Sequence, residues 1–117
     1  MTVTDLHADL QVEFKRRKYF TDLIVLEQTL HLLKARLLVS ADLFVQVYRN
    51  DHFHTTNLAL IHNGHRLFGR DELDGHWHRH THILPEDHDT SSNGRNKVTL
   101  AEFLDEVEQV LATLDLP

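Results

Sequence analysis

The sequence predicts an α+β domain: an antiparallel meander of about five to six strands, with an N-terminal helix and a C-terminal amphipathic helix packed on one face. Three observations lead there. In Leu43 to Arg49 the polar and aromatic Phe44, Gln46 and Tyr48 alternate with Leu43, Val45 and Val47, the two-residue period of a half-buried strand. Asn63-Gly64 is the pair that tight hairpins favour, because both central positions of a type I′ turn need positive φ. Near the end, Thr99 and Glu102 have capping-box spacing, and Leu100, Phe103, Leu104, Val107, Val110, Leu111 and Leu114 follow at helical period.

In chain order, Leu6, Leu10 and Phe14 predict a helix over Thr4 to Lys18 with Thr4 as N-cap. It ends in Lys15-Arg16-Arg17-Lys18, which reads first as a solvated helix end whose cations suit the C-terminal dipole, and second as a phosphate or acidic-partner contact. Leu23 to Leu30 and His31 to Val39 read as strands, although a run such as LHLLKARLL also favours helix. Ser40-Ala41-Asp42 breaks the chain before the Leu43 strand, and Asn50-Asp51 opens a loop holding His52 and His54. Asn57 to His62 and His65 to Arg70 form a hairpin. A second turn at Leu73-Asp74-Gly75 delivers a histidine strand, and the polar Pro85 to Lys97 reads as a loop.

The 117 residues are long enough for one core and not two, so residues 1–117 are expected to be a single globular domain. Apolar residues at 41% with only four Gly and two Pro argue against a disordered chain. The absence of cysteine removes disulfides and thiolate sites, and the start MTVTDLHADL lacks a signal-peptide pattern. With no apolar run near the roughly 20 residues that span a bilayer, a soluble, cytoplasmic protein without membrane association is expected. A formal charge of −6 weighs against broad nucleic-acid binding while leaving room for a local basic surface.

Seven of the eleven histidines fall between Ile61 and Asp89, and His76, His78, His80 and His82 alternate. On extended backbone they share one face, successive members about 7 Å apart. The opposite face takes Trp77, Arg79, Thr81 and Ile83, two of them large enough to pack on a core. The imidazoles then face a groove, a metal or a partner.

Three kinds of chemistry fit. Imidazoles at alternate strand positions can offer a pair of ligands to Zn²⁺ or another divalent transition metal, drawn from His76, His78, His80, His82 and Glu86. His62 or His65 from the neighbouring hairpin, or Glu72, Asp74 and Asp87, would complete such a site. Its sharpest form is a cupin-like metalloenzyme on His80, His82, Glu86 and Gly94, although Gly75 and Gly94 each miss the usual spacing by a residue and no second cupin motif follows. Without metal, attack of a ribose 2′-hydroxyl on its phosphate needs a base, an acid and a cation. His78 and His80 with Arg79, Arg70 or Arg66 supply those types, and Asp71 can fix a tautomer. The dullest reading is a partner-binding module whose histidines tune its pH response.

The order of motifs, RLFGRDE, a Gly-containing turn, His-x-His, a polar loop and VTLAEFLDEVEQVL, resembles the TumE-type toxins of prokaryotic toxin-antitoxin modules. The match runs through Asp71, Gly75, His78, Arg79 and His80, then Leu100, Phe103, Leu104 and Val107, and covers roughly the second half of the chain. Glu72 stands where that family often has Asn, and His76, His82 and the Asp-rich loop are additions. The resemblance implies a toxin encoded beside a helix-turn-helix antitoxin and acting on RNA, with His78, His80, Asp71, Arg79 and Arg70 as catalytic candidates, no cofactor, and homodimerisation left open.

Overall fold

A computed structural model of the chain describes residues 1–80 and 96–115. Helix α1 (Val3–Arg16) precedes six strands, β1 (Asp22–Gln28), β2 (Leu32–Ser40), β3 (Leu43–Asn50), β4 (Thr55–His62), β5 (His65–Leu73) and β6 (His76–His80), and α2 (Leu100–Thr113) follows. The strands lie in the order β1-β2-β3-β4-β5-β6, all neighbours antiparallel, so the predicted α+β meander is the observed fold. One open sheet with helices is not the double-sheet jelly roll that a cupin reading requires.

Local chemistry sets most of these boundaries. Asn63 and Gly64 adopt φ 52° and 79°, and Asp74 and Gly75 adopt 52° and 82°, the left-handed pair that matches a hairpin turn to strand twist. Thr99 Oγ1 accepts from Glu102 N while the Glu102 carboxylate accepts from Thr99 N, closing the capping box. The first helix starts earlier than its apolar spacing predicts. Thr2, not Thr4, is the N-cap, its hydroxyl accepting from Asp5 N at 3.1 Å, and the helix stops at Arg16.

Alternation then divides the sheet into two faces. Leu33, Ala35, Leu37, Leu43, Val45, Val47, Leu58, Leu60, Phe68 and Trp77 point toward the helices and are buried with Leu6, Leu10, Leu100, Phe103, Leu104, Val107 and Leu111. Phe68 and Phe103 stack with centroids 5.7 Å apart, which ties α2 to β5. Leu114, the last member of the predicted stripe, lies past the helix end and is exposed.

Three arginines stitch this covered side together. The run Lys15 to Lys18 is not uniformly solvated: Arg17 is only 6% exposed. Its guanidinium donates to Glu13 at 2.7 Å, to Asp105 at 3.0 Å, to the Ala101 carbonyl and to Glu108, so α1 is clamped to α2. Burial works against that charge, but the bonds to Glu13 and Asp105 outweigh it and hold the arginine above its already high ordinary pKa. Arg49 reaches Asp51, Thr56 and Glu72 at 2.8 to 2.9 Å, and Arg70 bonds Glu106 of α2 through Nε at 3.0 Å. Asp51 also accepts from Val3 N, satisfying a helix-start donor.

Candidate functional site

The opposite face of the sheet has no helix of the described residues on it, and strand register decides what it displays. Gly69 pairs with Ala59 on one side and His80 on the other, and Asp71 pairs with Asn57 and His78. Continuing outward, Asn57 meets Tyr48 and Tyr48 meets Lys34, while Ala59 meets Gln46 and Gln46 meets Arg36. Directly paired residues share a face. Lys34, Arg36, Gln46, Tyr48, Asn57, Asp71, His78 and His80 therefore lie on one side.

The twisted sheet forms a groove of about 770 Å³ there, with Lys34, Arg36, Arg66, Gln46, Tyr48 and Asn57 among its lining residues and no carboxylate among the described residues that line it. Its cations are weakly committed. Lys34 Nζ is 3.7 Å from the exposed Glu27, and the Arg36 guanidinium lies over the Phe44 ring, 4.6 Å from the centroid, with no hydrogen-bond partner for Nε among the described residues.

At one end of the groove the polar groups converge. Asn57 Nδ2 donates to Asp71 Oδ1 at 2.6 Å, Arg66 Nη1 is 3.6 Å from Asp71 Oδ2, and His80 Nε2 is 3.0 Å from the same oxygen. Arg66 Nη2 also stands 3.2 Å from His80 Nδ1. A guanidinium can only donate, so the Arg66 contact requires Nδ1 to accept, and a neutral ring then carries its hydrogen on Nε2, the nitrogen 3.0 Å from Asp71 Oδ2. Donation by Arg66 and protonation at Nδ1 thus exclude each other.

Gly69 lies beside this arrangement. A Cβ there would stand 3.1 Å from the Leu58 carbonyl oxygen, so the absent side chain lets β4 lie close against β5, while Arg66 Cδ passes at 3.4 Å, an ordinary van der Waals distance.

Several expected site residues fall elsewhere. Trp77 packs on the core as its alternation with the histidines requires, and His76, His78 and His80 share the other face. They are not equally accessible: His76 is exposed, His78 is half-buried and His80 is 2% exposed. Arg70 points into the helix face, and Arg79 pairs with it across β5 and β6, so neither is brought to the imidazoles. Arg66, the third cation named from sequence, is the one brought there. Asn57 and Gly69 were not singled out, since only register links them to Asp71 and His80.

Of the metal-completing candidates, Glu72 is engaged by Arg49 and Thr56, Asp74 sits in the β5–β6 turn, and His62 pairs with His65 at the hairpin end. His82, Glu86, Asp87 and Gly94 lie outside the described residues, among which no group of three or more His, Asp or Glu has metal-holding geometry. No helix is long and apolar enough to cross a membrane among the described residues. Comparison with family models, curated proteins and solved structures returns no match, which leaves the geometry itself as the basis for a functional reading.

Proposed function

We propose that this chain is a cytoplasmic toxin of the TumE type that binds RNA on the open sheet face and cleaves it by attack of a ribose 2′-hydroxyl on the adjacent phosphate. The observation that carries the reading is the groove holding Lys34, Arg36 and Arg66, with no carboxylate among its described lining residues, and leading to Asp71, His78 and His80. Cations in a concave wall attract phosphates, and Tyr48 offers a ring on which an unpaired base can stack.

In this reaction the 2′-oxygen forms a bond to phosphorus as it loses its proton to a base. The bond to the 5′-oxygen breaks as that oxygen takes a proton from an acid, leaving a 2′,3′-cyclic phosphate. His78, half-buried beside Asp71, is the imidazole open to substrate. Arg66 moves from His80 to a phosphate oxygen, which offsets the charge of the transition state and uncovers the unprotonated Nδ1 of His80 to take the 2′-hydroxyl proton as base, while His78 in its protonated form gives the 5′-oxygen its proton as acid. Asp71, whose Oδ2 is 3.0 Å from the other ring nitrogen, is the carboxylate placed to stabilise the ring when it carries a proton. The product of an adjacent gene, a helix-turn-helix antitoxin, would hold this activity in check.

Induced expression is expected to arrest bacterial growth, with relief by coexpression of the adjacent gene and accumulation of RNA ending in cyclic phosphate. His78→Ala should abolish arrest while changing stability by no more than about 0.5 kcal/mol, since the side chain is not in the core. Cleavage that survives chelation fits the metal-free route, and cleavage lost on chelation and restored by Zn²⁺ would replace it with a metal mechanism on the same strand. Normal growth with abundant folded wild-type protein would overturn the toxin reading.

A further inference from the structure

The two edges of the sheet are built differently. β6 ends the sheet among the described residues with exposed His76, half-buried His78 and Arg79, and buried Trp77 and His80. β1 ends it with DLIVLEQ, in which Ile24, Val25 and Leu26 are 42%, 40% and 53% exposed, and no described strand pairs with its outer side. Edge strands are ordinarily guarded by Lys, Pro, a bulge or a covering element. β1 has no Lys and no Pro, and its bulge between Val25 and Glu27 leaves Leu26 at the rim of the groove rather than hidden.

We propose that β1 pairs antiparallel with β1 of a second copy about a twofold axis at Val25, joining the two sheets edge to edge and bringing their grooves together. The strand is complementary to itself in that register. Asp22 faces Gln28 of the second copy, Leu23 faces Glu27, and Ile24 faces Leu26, so no two carboxylates meet. Parallel self-pairing would instead set Asp22 on Asp22 and Glu27 on Glu27, which like charges on adjacent strands disfavour. Apolar side chains project from both sides of β1, which suits a twofold pair that buries them above and below the joined edge.

The consequence for binding rests on the nucleic-acid reading, but the dimer itself does not. Leu26 and Lys34 form the β1 end of the groove wall, so the twofold places the corresponding residues of the second copy next to them. Two grooves then meet at the axis, and a single RNA strand can run from one His80 end to the other.

Sedimentation of the full chain over a range of concentrations tests the pairing. A reversible dimer is expected at micromolar protein, and Val25→Lys, which sets two ammonium groups at the axis, should make it monomeric with an unchanged circular dichroism spectrum. Because the chain has no cysteine, Val25→Cys supplies one thiol per chain. Adjacent antiparallel positions are within disulfide reach, so mild oxidation should convert this variant to a covalent dimer, whereas Val12→Cys on the exposed side of α1 should not cross-link. A monomer at all concentrations, a dimer indifferent to Val25→Lys, or failure of Val25→Cys to cross-link would overturn the proposal, as would β1 being occupied only by the adjacent gene's product. Since the reacting groups all lie within one chain, a wild-type protein that stays monomeric yet cleaves RNA refutes this pairing alone, and a wild-type dimer without cleavage refutes the ribonuclease reading alone.

Discussion

On the helix-covered face Arg17, Arg49 and Arg70 are matched by carboxylates at ordinary hydrogen-bond distance, whereas on the open face Lys34 and Arg66 stand 3.7 and 3.6 Å from theirs and Arg36 lies on an aromatic ring. The difference lies in surroundings rather than residue type. A guanidinium taken out of water must be compensated inside the protein, so the covered arginines have spent their donors on their own chain. Those that line a wet groove keep donors for an external anion. The net charge of −6 averages the two sides and hides the second.

That contrast can be broken most severely through the core. Phe103→Ala should lower stability by about 3–5 kcal/mol in urea unfolding, from lost transfer energy and the cavity left against Phe68. Arg70→Ala comes next, at about 2 kcal/mol, because Glu106 loses a charged hydrogen-bond partner beside the core. An Arg70→Ala protein as stable as the wild type would mean that the covered arginines are no more committed than the exposed ones.

Asp51 gives a pH-dependent version of the same test. Burial opposes its charge, but bonds from Arg49 and the Val3 amide outweigh that and hold its pKa below the ordinary 3.8. Its stabilising contribution is therefore complete above the ordinary carboxylate range and is lost as pH falls from there through the lowered folded value. Asp51→Asn keeps an acceptor for the Val3 amide but loses the charge opposite buried Arg49, so it should cost about 1 kcal/mol at neutral pH, and its stability deficit should shrink in acid.

The smallest stability effect belongs to the open face. Arg36→Ala should change unfolding by no more than about 0.5 kcal/mol, yet weaken binding of a single-stranded oligonucleotide and reduce the slope of log affinity against log salt by about one unit. Equal salt slopes for wild type and variant would remove Arg36 from the phosphate contacts.

Much of this was legible in the sequence, for reasons that are local. The two-residue period of Leu43 to Arg49, the Asn63-Gly64 turn and the Thr99–Glu102 box each report on neighbours a few residues apart, and together they specify a meander. Alternation also placed Trp77 opposite the histidines. The separation of Arg70 from His80 was less accessible because it depends on pairing β6 with β5 in a particular register. Arg17 was hardest to read. Its run looks solvated until α2 brings Asp105 and Glu108 against it.

That clamp also bears on the order in which the chain can fold during synthesis. Strands β1 to β6 pair only with sequence neighbours, so the sheet's contacts are short-range and available early. The far half of the clamp is separated from Arg17 by 84 to 91 positions. Until α2 emerges from the ribosome, Arg17 lacks its α2 carboxylates, and Phe68 lacks the Phe103 ring that stacks on it. A nascent chain stalled before Leu100 would thus carry the groove's residues on an incompletely covered sheet, and the emergence of α2 is the step that completes the cover.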